Sequence, residues 1–181
     1  MAETARWREE RARVFFALWP DAGTAEALNA LAGAAKGRFG GRAMRIDTLH
    51  LTLAFIGGVP RVRIPELLEI GAAVAPRAFD LRLDVLGEWA RKHIVWAGPE
   101  QVPEPLAALA AELQSALVTA GFALEARPFV PHVTLLRNAT CATQRASLER
   151  PVRWRADGFV LVESRLLPSG ARYEVLGRWH T

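Results

Sequence analysis

The chain carries the run Thr48-Leu49-His50-Leu51-Thr52-Leu53-Ala54-Phe55-Ile56, and the pattern at its centre returns as His132-Val133-Thr134-Leu135. Each copy reads His, aliphatic, Thr, aliphatic, and the two copies take two of the four histidines. In the first, Leu49, Leu51, Leu53 and Phe55 alternate with His50, Thr52, Ala54 and Ile56. Successive side chains of a strand point to opposite faces. The alternation therefore predicts a strand whose aliphatic set packs the core while His50 and Thr52 project together from the other face. The same reading makes 130–136 a second strand of this kind. One His-x-Thr string alone is most simply a strand with a polar face, because threonine favours strands whatever its role. Two copies in matching contexts point to one shared site.

Outward from these strands, Val14 to Leu18 reads as a buried strand that Pro20 ends. Ala25, Leu28, Ala32 and Ala35 recur at helical spacing and predict a helix over 21–38, capped by Asp21 and stopped by Gly40-Gly41. Leu67, Leu68, Gly71 and Val74, with Pro65 in the first turn, predict a second helix. Leu106, Leu109, Leu113 and Leu117, closed by Gly121, predict a third. Further strands are expected over 81–85, 94–97, 152–155, 159–164 and 173–179, with Ser169-Gly170 turning between the last two. A short helix is expected over 140–148, and residues 1–12, charged and without periodicity, read as a loose tail.

Strands that come singly, in pairs and in threes between helices fit an α+β fold with mainly antiparallel sheets better than an alternating parallel one. The motif recurs at the same point of a second strand–helix–strand block. This predicts two pseudo-symmetric lobes with flanking helices, forming a single bilobal domain over 13–181. No Ser- or Gly-rich linker divides them, so the lobes should share an interface.

At 181 residues the chain is long enough to bury a core of its own without a covalent staple. Its one cysteine, Cys141, excludes an internal disulfide and a four-cysteine zinc site, and reads as a small buried residue. That usage fits a reducing compartment. The longest early apolar run, Val14 to Trp19, is too short for a membrane span and too poorly flanked for a signal peptide, so a cytoplasmic protein without a membrane partner is expected. The net charge of +4 is mild and mostly arginine, which reads as a solvated surface before it reads as a duplex-binding face.

The chemistry follows from the residue types. His and Thr at i and i+2 on one strand face have Cα atoms about 6.5–7 Å apart. One such strand offers an imidazole that can hold a proton near neutral pH and a hydroxyl that can donate a hydrogen bond. Two facing strands offer an acid, a base and two anchors, the set needed to hydrolyse a phosphodiester in line. No metal is required if the two histidines hold opposite protonation states, and both limbs of a bell-shaped pH–rate profile would then lie near neutrality. Zinc takes three or four protein ligands, and neither histidine has the companions of a His-Glu-x-x-His or Cys-x-x-Cys set. There is no Gly-x-Ser-x-Gly elbow, Walker loop or dinucleotide fingerprint, so no cofactor is expected.

With both motifs in view, the chain resembles the 2H phosphoesterase superfamily. Within it the resemblance is closest to the bacterial and archaeal RNA 2′,3′-cyclic phosphodiesterases, long labelled 2′-5′ RNA ligases. It is carried by Arg13-Val14-Phe15-Phe16-Ala17-Leu18, His50-Leu51-Thr52-Leu53-Ala54-Phe55-Ile56-Gly57, Arg127-Pro128-Phe129-Val130-Pro131-His132-Val133-Thr134-Leu135-Leu136-Arg137, and Val162-Glu163-Ser164 with Tyr173. The resemblance implies two lobes around a central cleft and metal-independent hydrolysis of a 2′,3′-cyclic phosphate at an RNA end to a 2′-phosphate. It implies His50 as proton donor to the departing 3′ oxygen, His132 as base towards water, and Thr52 and Thr134 as anchors of the phosphoryl oxygens. The motifs alone, being nearly symmetric, leave the acid and the base interchangeable. Arg137 also follows the family pattern as a phosphate-binding residue, although strict alternation sets it with Val133 and Leu135 on the wrong face unless a strand end or bulge redirects it.

Partners implied are RNA ends or nucleotides bearing the cyclic phosphate, and an enzyme of this size needs no second subunit, so a monomer is expected. Two other functions stay open: 2′-5′ ligation on the same site, and a non-catalytic module that binds RNA ends. Phe129 reads as a core residue or a base-stacking one, His93 beside Arg91-Lys92 as a solvated turn, and His180 as incidental.

Overall fold

The computed structural model describes residues 10–125, 128–167 and 170–181. Nine strands form one antiparallel sheet: β1 (Arg11–Leu18), β2 (Arg42–Ala43), β3 (Leu51–Pro60), β4 (Phe79–Trp89), β5 (Ile94–Gly98), β6 (Val133–Arg137), β7 (Arg145–Ala156), β8 (Gly158–Leu167) and β9 (Gly170–His180). Their order is β7-β4-β5-β6-β3-β1-β8-β9, with the short β2 added on β6. The two motif strands, β3 and β6, are therefore neighbours at the centre. They meet at one paired position, Leu51 opposite Val133. Four strands lie to either side of that rung, so the expected pseudo-symmetry takes the form of one sheet with two halves.

Three helices cover one face: α1 (Ala22–Phe39), α2 (Ile64–Ala73) and α3 (Glu104–Thr119). Asp21 caps α1 as expected, accepting from the Thr24 amide and hydroxyl at 2.9 Å each, and Gly40 ends the helix with φ 63°. Each motif strand is reached through a strand and a helix, β1–α1–β3 and β5–α3–β6. The helices cross over. α1 packs against β6 and β7 of the other half, and α3 against β3. One apolar core results, with Leu18, Leu28, Leu51, Leu53, Leu106, Leu113, Val133 and Leu135 fully buried. Each such leucine contributes about 1.5–3 kcal/mol. Because both helices are shared between the halves, separating the halves would tear this core open.

The opposite face of the sheet carries two small aromatic clusters. One holds Phe15, Ala17, Val160 and Val162 with Trp19, Phe55 and Tyr173; the other holds Val85, Ile94 and Trp96 with Trp89. Trp96 lies over its cross-strand partner Gly87, where an added Cβ would sit 2.0 Å from the ring.

Two expectations are corrected. β1 begins at Arg11, with Arg11 and Ala12 paired to Pro60 and Val59, so the strand takes up two residues assigned to the tail. Residues 1–9 and Ser169 of the expected turn lie outside the described residues. The helix over 140–148 does not form, because Arg145, Ala146 and Ser147 extend β7 along Gly87, Leu86 and Val85 of β4. Between Arg145 and Arg150 only Leu148 is even half-buried, so no apolar stripe would hold a helix to the core. The backbone of β4 does need a partner.

Candidate active site

His50 follows a short 3₁₀ turn, Ile46–Thr48, and immediately precedes β3; His132 follows Val130-Pro131 and immediately precedes β6. Each ring is held in the same way. His50 Nδ1 lies 2.8 Å from the carbonyl oxygen of Thr48, and His132 Nδ1 lies 2.7 Å from that of Val130. A carbonyl can only accept, so Nδ1 carries the hydrogen, and in the neutral ring Nε2 is the basic nitrogen. Thr48 is itself buried and fixed by its hydroxyl, which donates to the Arg45 carbonyl at 2.8 Å.

Extending the antiparallel register from Leu51 and Val133 sets His50 across from Thr134 and Thr52 across from His132. All four then project from the face opposite the core. The two histidines occupy a diagonal of this square, with Cα atoms about 7–8 Å apart as in any antiparallel pair. His50, Thr52, His132 and Thr134 line one cleft of about 260 Å³.

The same strands carry the same irregularity. On β6, Trp96 pairs with Thr134 but Val95 pairs with Leu136, so Leu135 is an extra residue. Leu135 and Leu136 are both buried, and Arg137 is thrown to the face of Thr134, where it lines the cleft. On β3, Ala17 pairs with Thr52 and Phe16 with Ala54, so Leu53 is the extra residue. Leu53 and Ala54 are buried and Phe55 lines the cleft. Strict alternation thus fails on both strands, and Phe55 leaves the core set in which the sequence pattern places it. Arg13 stacks over the Phe55 ring at 4.9 Å and also lines the cleft.

The two histidines differ in their surroundings. The His50 ring packs against Phe15 at 4.8 Å, stacks on Trp19 at 5.7 Å and meets the edge of Tyr173 at 5.2 Å. Burial among these rings lowers its pKa to about 4, against the partly offsetting hydrogen bond to Thr48, and repulsion from His132 and Arg137 adds to the effect. His132 rests against Trp89 at 4.6 Å and Trp96 at 6.1 Å. Tyr173, on the wall beside His50, has its pKa raised by burial.

All five expected site residues meet in this cleft. Arg13, Phe15, Met44, Thr48, Phe55, Glu125, Ser164 and Tyr173 complete its wall, and local pattern assigned none of them a part. Arg13, Phe15, Phe55, Ser164 and Tyr173 stand within the strings that carry the family resemblance, which was the available signal. His93 lies outside the cleft, its Nδ1 3.3 Å from the Ala139 carbonyl, and His180 sits beside Asp157. Phe129 is partly buried against the core and also walls a chamber next to the cleft. Among the described residues no group of three or more His, Cys, Asp or Glu side chains could hold a metal ion. No described helix is long and apolar enough to cross a membrane.

A family model described as the 2′-5′ RNA ligase superfamily matches residues 19–166. The chain belongs to this family. It is 36% identical over 139 residues to a protein of Escherichia coli K12 named RNA 2′,3′-cyclic phosphodiesterase, covering 77% of this chain and 79% of the relative. A Thermus thermophilus protein of the same name is 32% identical over 143 residues, covering 72% and 71%. Among solved structures, E. coli LigT complexed with 3′-AMP superposes with a TM-score of 0.85 at 33% identity, covering 94% of this chain and 98% of that one. This family member thus shares its fold over nearly its whole length with structures of its relatives.

Proposed function

We propose that the protein hydrolyses 2′,3′-cyclic phosphate ends of RNA to 2′-phosphates, using His50 and His132 for proton transfer and no metal ion. The observation that carries this reading is the diagonal square of His50, Thr52, His132 and Thr134 about the Leu51–Val133 rung. Two imidazoles and two hydroxyls on one cleft of about 260 Å³ support this reading. The relatives named RNA 2′,3′-cyclic phosphodiesterase and the neighbour crystallised with 3′-AMP support the choice of substrate.

In this mechanism the phosphate sits between the threonine hydroxyls, which donate to its non-bridging oxygens, and Arg137 offsets its charge. Nε2 of His132 takes a proton from water as the water oxygen bonds to phosphorus. The bond from phosphorus to O3′ breaks, and His50 delivers its proton to O3′. The products are a 3′-hydroxyl and a 2′-phosphate. With its pKa lowered to about 4, His50 is neutral at pH 7, and it takes up a proton from solvent as the substrate anion binds. An anion in the cleft offsets the repulsion from His132 and Arg137 and raises the His50 pKa.

The test is the product formed from a short RNA ending in a 2′,3′-cyclic phosphate, in the presence of EDTA. A 2′-phosphate end is expected at an undiminished rate. A 3′-phosphate end, or a strict need for added divalent metal, contradicts the mechanism. A non-catalytic module would bind this RNA without any product.

A further inference from the structure

The cleft opens at two ends, and the ends differ in chemistry. Towards Trp89 and Phe129 it joins a chamber of about 570 Å³ with a largely apolar wall that includes Leu53, Ile94 and Leu124. Past Tyr173 it is continuous with a trench of about 390 Å³; Arg13, Thr48, Arg137, Ser164 and Tyr173 line both. Arg42 and Arg45 extend the trench, and Arg172 lines the recess beyond. All five arginines are exposed. Among the described residues, Asp47 is the one carboxylate on these walls, and it is paired with Arg45.

Two of the arginines are set against each other. Arg42 on β2 is the direct cross-strand partner of Arg137 on β6, and both line the trench. Like charges opposite one another on an antiparallel pair are destabilising. Neither has an ion-pair partner among the described residues. Such an arrangement persists at a cost to the fold, and a polyanion lying along it removes that cost.

We propose that this trench carries the sugar–phosphate backbone upstream of the terminal nucleotide, so that the preferred substrate is an RNA strand and not a free cyclic mononucleotide. This rests on the proposed hydrolysis at the two histidines. A terminal nucleotide whose cyclic phosphate occupies the cleft has two further parts, a flat base and a 5′-phosphate leading to the rest of the strand. The apolar mouth suits the first, and the arginine mouth suits the second. Leu167, exposed at the trench wall, offers an upstream base an apolar surface.

The test is the double variant Arg42→Ala/Arg172→Ala, since neither side chain lines the cleft around the histidines. Turnover is compared on an RNA of about four nucleotides with a cyclic-phosphate end and on 2′,3′-cyclic AMP, across a salt series. The variant should lose about tenfold in kcat/KM on the RNA and less than about twofold on the mononucleotide. The dependence of log kcat/KM on log salt for the RNA should flatten by about 0.7 per arginine removed. Equal losses on the two substrates, or no loss on the RNA, would overturn the proposal. Binding of the same RNA, dye-labelled and carrying a 2′-phosphate end, is measured by anisotropy in parallel. If the wild-type protein turns over neither substrate, the hydrolysis reading fails, and weaker RNA binding by the variant still decides for the trench, unchanged binding against it.

Discussion

The two halves of the sheet present the same motif in the same way and then part company. In both, Nδ1 donates to the carbonyl two residues back, and both strands bulge at the residue directly after the threonine. The residue released by the bulge differs. β6 delivers Arg137, a charge, and β3 delivers Phe55, a ring covered by Arg13. The cages differ too, with three rings around His50 and two tryptophans beside His132. Symmetry brings two imidazoles to one cleft. Asymmetry buries one of them among three rings, and that burial lowers its pKa.

The largest effect should come from deleting either member of the symmetric pair. His50→Ala and His132→Ala should each lower kcat/KM on cyclic-phosphate RNA by about 10²–10⁴, with little change in melting temperature. The rung between the halves comes next. Leu51 is fully buried and central to the shared core, so Leu51→Ala should cost about 2–5 kcal/mol in denaturant unfolding.

On the asymmetric positions, Arg137→Ala should lose about 1.5–3 kcal/mol of transition-state stabilisation, roughly ten- to a hundredfold in kcat/KM. Phe55→Leu should cost far less. If the two losses were alike, the division into a charged and an apolar strand would fail. Gly87→Ala drives a Cβ into the Trp96 ring, and should destabilise the fold by about 1–3 kcal/mol while disturbing the ring that rests near His132.

A further effect concerns pH. The folded His50 pKa of about 4 lies below its ordinary 6.5, so between these values the unfolded chain binds the extra proton. Stability should therefore fall as pH drops from about 6.5 to about 4 and take no further loss from this group below. In NMR titrations the His50 ring of the free protein should stay neutral to about pH 4, and bound phosphate should raise that transition. A free-protein transition near 6.5 would remove the asymmetry.

Much of this was legible in the chain. The helix caps, the leucine stripes and the repeated His-x-Thr gave the elements and the four central side chains, because each depends on neighbours within a few residues. What local pattern missed depends on distant ones. The bulges at Leu53 and Leu135 arise from pairing with β1 and β5, and they alone explain why Phe55 and Arg137 face the cleft. β7 runs as a strand from Arg145 because the edge of β4 is there to be paired. The cage around His50 is assembled from β1, β9 and Trp19, far apart in sequence, so its lowered pKa had no local signature.

The central claim is that the two halves make one catalytic unit, and the double variant His50→Ala/His132→Ala tests it most directly. Measured as kcat/KM on RNA ending in a 2′,3′-cyclic phosphate, its activity should fall no further than that of the worse single variant, as expected of groups that act together. Losses that simply multiply, or a single variant that keeps nearly full activity, would contradict it.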